Sequence, residues 1–317
     1  MTRPPRCPLL RPWYRVAQAD GRVLIESGVE CVVLEGRAAT RFVPALLPLL
    51  DGTRTVPELA ERLELVDATP VERALALLDE HGLLSEGPPL RDEPAPFAHA
   101  AHLAAALRGR EATPGDELRR LQEARVAVLG TGPVAGEIAG LLLGSGVGNV
   151  ARPAWEAAPQ ARADLVVAAP AARELRRLER WNEAALSAGI EWVQVLPWDG
   201  AIAVVGPAFV PGETCCRECY RRRRRSHLEY GDELVALEPV PPAGPLPPAL
   251  VAITGGLAVA LALRRLAGDP VVAGAAAVLE LGGAPRLALH PVLRVPRCPA
   301  CSEPARRALP APWAEAS

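Results

Sequence analysis

The stretch "PGETCCRECYRRRRR", Pro211 to Arg225, places a CxxC pair, an adjacent extra cysteine and five consecutive arginines side by side. Cys216 and Cys219 form this pair, and Cys298 and Cys301 form a second one in "VPRCPACSEP". Two CxxC pairs supply the four thiolates of a closed, structural zinc site. We therefore expect these four sulfurs to bind Zn²⁺; the alternative is that they are redox-active or inert thiols.

The other cysteines and the arginine run have simpler interpretations. Cys215 is either a spare thiol or an alternative metal ligand. Cys7 is predicted to be a free thiol near the N-terminus, and Cys31 a buried strand residue. The run Arg221 to Arg225 is typical of a solvated helix end, and the alternative is a contact for an acidic peptide or a partner protein.

Composition indicates a globular protein of two domains. The chain has 317 residues, half of them apolar, and a formal net charge of -2, so we expect no general affinity for nucleic acid. Prolines stand where a signal peptide would have its apolar segment, so we expect a cytoplasmic protein. Seven cysteines without an export signal favour metal binding over disulfides. The apolar run "PALVAITGGLAVALALRRLAG" is predicted to be a buried core helix and not a membrane span, because charges close it on one side only.

The first domain is predicted over residues 1–87. Three strand-like runs are separated by the turn dipeptides Asp20-Gly21 and Ser27-Gly28, and three helical patterns follow. The first helical pattern is "RFVPALLPLLDG", and Thr55 and Thr69 are the predicted N-caps of the other two. This order is typical of a winged helix.

DNA binding by this domain is disfavoured by its charge. From Asp51 to Glu86 nine acidic residues stand against three arginines. A helix that faces phosphates needs the opposite balance.

Residues 88–124 are predicted to be a linker followed by helices, and residues 125–317 an α/β domain with a mainly parallel sheet. In "VAVLGTGPVAG" the glycines Gly130, Gly132 and Gly136 follow a buried strand and open a helix, an arrangement that can cradle a phosphate. The alternative is that they only permit tight packing of the strand against the helix. A nucleotide site of this kind also needs an acidic residue about twenty residues after the glycines. Glu156 is the one acidic residue in "NVARPAWEAAP", where that partner is expected.

The order of these motifs from Arg125 to Ser302 resembles the ThiF/E1-like superfamily, whose zinc signature is "GPAFVPGETCCREC" followed at a distance by "CPAC". The resemblance implies a Rossmann-type, ATP-binding domain whose active members adenylate the C-terminus of a carrier protein. Those members place a magnesium-binding aspartate where this chain has Ala168, Ala169 and Pro170, and a lysine at the phosphates, whereas this chain contains no lysine. We therefore predict a degenerate domain with vestigial nucleotide-binding glycines and no adenylation; nucleotide binding stays open.

The N-terminal domain resembles the PqqD-like RiPP recognition element. Together the two domains resemble the leader-peptide-binding partner protein of azoline-forming (thiazole/oxazole-modified microcin) pathways. This resemblance implies a component that is not catalytic on its own, with a precursor peptide and a YcaO cyclodehydratase as partners and a homodimer as a possible assembly. The alternative is an active adenylyltransferase that acts on a carrier protein or a peptide C-terminus.

The resemblance also places a leader-binding groove between the third strand and the third helix. An extended peptide can pair with an exposed edge strand while its side chains enter an adjoining groove. The alternative for the apolar residues is a place in the hydrophobic core. The predicted peptide-binding residues are Cys31, Val32, Val33, Leu34 and Glu35 of the strand, and Val71, Ala74, Leu75 and Leu78 of the helix.

Overall fold

The computed structural model describes residues 5–28, 30–109, 112–237, 240 and 246–302. The chain divides into two units, Met1–Leu121 and Gln122–Ser317. Most of the segment 88–124, predicted to be a linker with helices, therefore belongs to the first unit. The predicted helix over residues 101–110 ends in Arg110, which lies outside the described residues.

The first unit contains two small antiparallel sheets. β2, β3 and β4 form one sheet in that order, and β1 pairs with β5 in the other. Asp20 and Gly21 both have positive φ, as the type I′ turn of a tight hairpin requires, so the predicted turn between β2 and β3 is confirmed. The pair β1 and β5 was not predicted, because three-residue strands show no periodicity. The strands are β1 Pro8–Leu10, β2 Arg15–Ala19, β3 Arg22–Ser27, β4 Glu30–Leu34 and β5 Leu84–Glu86.

Five helices complete this unit. They are α1 Arg37–Leu46, extended by a 3₁₀ turn at Leu47–Leu49, α2 Val56–Arg62, α3 Thr69–Glu80, α4 Ala95–Arg108 and α5 Pro114–Glu123. Thr55 caps α2 as predicted, and its backbone N–H donates to the Glu58 carboxylate at 2.7 Å. Thr69 is the first residue of α3 and not its N-cap; its N–H donates to the Asp67 carboxylate at 2.8 Å.

The core of the first unit lies between the three-stranded sheet and helices α1 to α3. Val23 and Ile25 of β3 enter it from the sheet, and Leu59 of α2 and Leu75 of α3 enter it from the helices. All four side chains are almost completely buried. This shared core fixes α3 against the sheet.

We expect Leu75→Ala to destabilise the first unit by about 2–5 kcal/mol, because it removes buried methyl groups and leaves a cavity. Leu77 on the same helix is the matched control: its side chain is 43% exposed, so Leu77→Ala should change stability by no more than about 0.5 kcal/mol. Urea unfolding of the full chain measures both variants. Equal losses would contradict this packing.

The second unit is built on one seven-stranded sheet in the order β12-β11-β10-β9-β8-β6-β7. β7, β6, β8 and β9 are parallel, as predicted, and β9 to β12 are antiparallel, which was not predicted. Only short loops join β9 to β10 and β11 to β12, and such loops permit antiparallel neighbours only. The strands are β6 Arg125–Leu129, β7 Asn149–Ala151, β8 Leu165–Ala168, β9 Trp192–Leu196, β10 Ile202–Phe209, β11 Ala275–Glu280 and β12 Arg286–Pro291.

The helices of this unit are α6 Pro133–Gly144, α7 Arg177–Ala188, α8 Arg217–His227, α9 Gly231–Leu237 and α10 Pro248–Leu266. α10 packs against α6 and β10. It was predicted to be a buried core helix, but one face alone is buried, through residues such as Ala258 and Ala262, while Ile253 is exposed. By length and composition α10 is the one helix among the described residues that is apolar enough to cross a membrane.

Candidate functional site

The four predicted cysteine ligands meet in one cluster. Cys216 is the N-cap of α8 and Cys219 lies in its first turn, while Cys298 and Cys301 lie in the turn that follows β12. All four sulfurs lie within 4.8 Å of one another, with Sγ–Sγ distances of 3.8 Å for Cys216–Cys219, 3.7 Å for Cys216–Cys298 and 3.6 Å for Cys219–Cys301. A tetrahedral zinc ion with Zn–S bonds of about 2.3 Å holds its sulfurs about 3.8 Å apart, whereas a disulfide requires about 2.05 Å. The cluster therefore fits a zinc ion and does not fit disulfides.

The surroundings of the cluster stabilise a thiolate. Hydrogen bonds from the Cys216 thiol, and from the backbone N–H of Val295 at 3.3 Å, lower the pKa of Cys219 to about 4. Burial raises the pKa of Cys301 to about 11. Four sulfurs fill a tetrahedral coordination shell and leave no open position, which is typical of a structural and not a catalytic metal site.

The remaining cysteines lie outside this cluster. Cys215 is buried in the core beside it, and burial raises the pKa of its thiol to about 12. Cys31 is exposed on β4, so the prediction that it is buried was wrong. The strand was placed correctly, but Cys31 lies on its outer face.

The arginine run on α8 is anchored within the chain. Each of the five arginines has an acidic or carbonyl partner, and Arg223 ties α8 to the segment before the second CxxC pair. The partners are Glu218 for Arg221 and Arg222, the carbonyl oxygens of Leu293 and Arg294 for Arg223, Asp199 for Arg224 and Asp232 for Arg225. Arg222 and Arg225 stay largely exposed, as a solvated helix end predicts, whereas Arg223 is anchored to a distant segment.

The glycine loop lies between β6 and α6, as predicted. Gly130 has φ of +123°, and a Cβ there would lie 2.0 Å from the carbonyl oxygen of Ala169. The backbone after β6 therefore touches the backbone after β8 at this point. A Cβ on Gly132 or Gly136 would meet its nearest atom at 3.5 or 3.7 Å, an ordinary contact. Tight packing accounts for Gly130 but not for the other two glycines.

Two arginines bond to residues of this loop. Arg152, which follows β7, donates to the carbonyl oxygen of Gly130 at 3.1 Å, and Arg173 donates to the hydroxyl of Thr131 at 3.2 Å. Glu156 points elsewhere and pairs with Arg177 at 2.9 Å. Ala168, the last residue of β8, and Ala169 and Pro170 after it are buried and offer no metal ligand.

Glu174 was missed by the sequence analysis. Its carboxylate accepts hydrogen bonds from the backbone N–H groups of Thr131 at 3.0 Å and Ala171 at 2.9 Å, and from the indole N–H of Trp155 at 3.3 Å. Burial raises its pKa, but these hydrogen bonds outweigh burial and hold the pKa below its usual value. No spacing rule for nucleotide sites includes this position; the usable signal was a short turn, "AARE", directly after a buried strand.

The predicted peptide-binding residues divide into exposed and buried sets. On β4, Cys31 and Val33 are exposed, with Val33 at 45%, and Val32 and Leu34 are half-buried against the core. Within the described residues β4 pairs with β3 alone, so its outer edge carries unpaired backbone groups.

On α3 the core interpretation applies to most of the predicted residues. Val71, Leu75 and Leu78 are buried in the core, and Ala74 is half-buried beside the exposed Leu77. A peptide that lies against α3 would therefore meet Ala74 and Leu77.

The fold that carries these sites is shared with solved enzyme structures. Neither a family model nor a curated protein matches the sequence. The heterocyclase TruD is 23% identical with a TM-score of 0.70, over 94% of this chain and 43% of TruD. A heterocyclase in complex with substrate and cofactor is 20% identical with a TM-score of 0.68, over 94% of this chain and 39% of that one.

The microcin C7 biosynthetic enzyme MccB, in complex with N-formylated MccA, is 14% identical with a TM-score of 0.70, over 93% of this chain and 99% of MccB. The chain thus spans less than half of either heterocyclase and nearly all of MccB. At these identities the comparisons show the fold.

We expect Gly130→Ala to cost at least about 3 kcal/mol, because the new methyl group would require a strained positive φ and would overlap the backbone of Ala169. Gly140→Ala in the middle of α6 is the control: a Cβ there meets nothing within 4 Å, and alanine should stabilise the helix by up to about 1 kcal/mol. Thermal unfolding of both variants measures the difference. If Gly130→Ala did not change the stability, the backbone at Gly130 would not lie in contact with the backbone of Ala169.

Proposed function

We propose that this protein is a leader-peptide-binding scaffold that presents a ribosomally made precursor peptide to a YcaO cyclodehydratase for thiazoline or oxazoline formation. The shared fold supports a role in peptide modification: one neighbour is a heterocyclase solved with its substrate, and MccB was solved with N-formylated MccA. The PqqD-like, winged-helix identity of the first unit belongs to this proposal.

The observation that carries the proposal is the exposed edge of β4. Its backbone N–H and C=O groups are open to an added strand, and the half-buried Val32 and Leu34 lie on the core side of the same strand. An extended leader peptide would gain main-chain hydrogen bonds along β4. The family resemblance places the side chains of the leader against α3, where Ala74 and Leu77 are the accessible apolar residues.

An adenylyltransferase is the second candidate, because MccB has also been solved with ATP in this fold. The residues around the glycine loop support the scaffold instead. Phosphoryl and adenylyl chemistry needs cationic and metal stabilisation, and this chain has Ala168 and Ala169 at the end of β8 and no lysine in its sequence.

Zinc on Cys216, Cys219, Cys298 and Cys301 is part of the proposal, with a structural role. The ion would hold the start of α8 against the turn that follows β12, and its binding energy would add to the stability of the second unit.

We expect purified protein to contain about one zinc ion per chain and Cys298→Ser to lose most of it, since three thiolates and a hydroxyl bind zinc more weakly. The matched control is Cys215→Ala, which changes the neighbouring buried thiol and should keep its zinc. Metal content by inductively coupled plasma mass spectrometry distinguishes the two variants. If Cys215→Ala lost its zinc and Cys298→Ser kept it, Cys215 and not Cys298 would be a zinc ligand.

The leader-binding prediction concerns the two edges of the β2-β3-β4 sheet. Val33→Asp on β4 should weaken binding of a fluorescent cognate leader to the full chain by at least about tenfold, because a carboxylate would be placed beside the added strand. Val16→Asp on β2 is the control, since Val16 is 43% exposed on the opposite edge, and should leave the affinity unchanged within about twofold. Fluorescence anisotropy measures both.

A second readout uses the exposed thiol of Cys31, which bound leader should protect from alkylation. Absence of leader binding by the unaltered chain, or equal losses at both edges, would end the proposal. Pyrophosphate exchange into ATP in the presence of the peptide would favour the adenylyltransferase. We also predict a homodimer, a cytoplasmic location and no nucleic-acid or membrane partner.

A further inference from the structure

We propose that Glu174 is an internal anion that occupies the glycine loop in place of a phosphate and excludes nucleotides from it. This inference concerns the second unit alone and does not depend on leader binding. One side chain would thus decide whether the glycine loop between β6 and α6 accepts a phosphate.

The position of Glu174 supports this role. In open α/β sheets, ligands bind beyond the carboxyl ends of parallel strands, where successive connections leave in opposite directions. In this sheet β6 lies between β7 and β8, so that point is the gap between β6 and β8. Gly130 and Thr131 leave β6 there, and the Glu174 carboxylate is bound directly to Thr131.

The bonding of Glu174 is that of a bound anion. One carboxylate oxygen accepts the backbone N–H groups of Thr131 and Ala171, and the other accepts the indole N–H of Trp155. The residue is only 7% exposed, so these donors supply most of the solvation of the carboxylate. The carboxylate thus uses a loop amide that a phosphate would need, and its negative charge would repel a phosphate placed beside it.

A purely local role does not explain the contact with Thr131. Glu174 closes the short 3₁₀ turn 172–174 through its bond to Ala171, three residues earlier. The bond to Thr131 spans 43 residues and contributes nothing to that turn. It joins the glycine loop to the segment after β8.

The guanidinium groups at the rim are consistent with an anion in the loop. Arg152 and Arg173 each donate a hydrogen bond to a loop residue, Gly130 and Thr131 respectively. Without Glu174, the amide of Thr131 would have no acceptor, while two guanidinium groups would still bond to the same loop. A free amide with cationic groups nearby is suited to a phosphate group.

The test is binding of ATP and of inorganic phosphate to the full chain by isothermal titration calorimetry. The unaltered chain and the control Glu156→Ala, which removes the exposed carboxylate that pairs with Arg177, should bind neither probe more tightly than about 1 mM. Glu174→Ala should bind at least one of them at least about tenfold more tightly than the unaltered chain. Leader affinity should stay within about twofold in every variant, so failure here is separable from failure of the proposed function.

Two outcomes would overturn the inference: nucleotide binding by the unaltered chain as tight as by Glu174→Ala, or a folded Glu174→Ala variant that binds neither probe. The isosteric Glu174→Gln variant keeps the test decisive if the alanine variant does not fold. In ¹⁵N-labelled protein the amide proton of Thr131 should shift with acidification at a midpoint below the usual glutamate value of about 4.3, and this step should vanish in Glu174→Gln. A Thr131 amide that is insensitive to both changes would show that the carboxylate does not bind the loop.

Discussion

The convergence of four sulfurs from two distant turns is the constraint on which the second unit depends. Cys216 and Cys298 are 82 residues apart in sequence and 3.7 Å apart at their sulfurs. A single ion at this point would fix the first turn of α8, and Arg223, one turn further along α8, reaches the segment before Cys298. The first CxxC pair and this arginine thus serve the same attachment.

The glycine loop combines a steric requirement with a polar one. Gly130 is required by sterics, because the chain after β6 touches the chain after β8. The end of β8 and the residues after it are small, apolar and buried. A buried carboxylate needs donors, and Glu174 finds them in the loop and in Trp155.

Much of the fold followed from the sequence where local signals were strong. The Asp20-Gly21 turn, the Thr55 cap and the two CxxC pairs each combine a residue type with a fixed spacing, and all three were placed correctly. The antiparallel half of the large sheet and the β1–β5 pair depend on pairing between distant segments, which no local pattern encodes. The sequence does not tell which apolar residues of α3 lie in the core and which face a groove, because a helix with one apolar face has the same pattern in both cases.

The exposed thiol on β4 has a practical consequence for any measurement of assembly. Cys31 is the one exposed cysteine among the described residues, and it stands on an edge strand that is open to pairing. In air, two such edges brought together would join through a disulfide, and the product would have the mass of a dimer with its two β4 edges facing each other. A dimer that dissociates on addition of a reducing agent would therefore report oxidation of a thiol and not the native assembly of the protein.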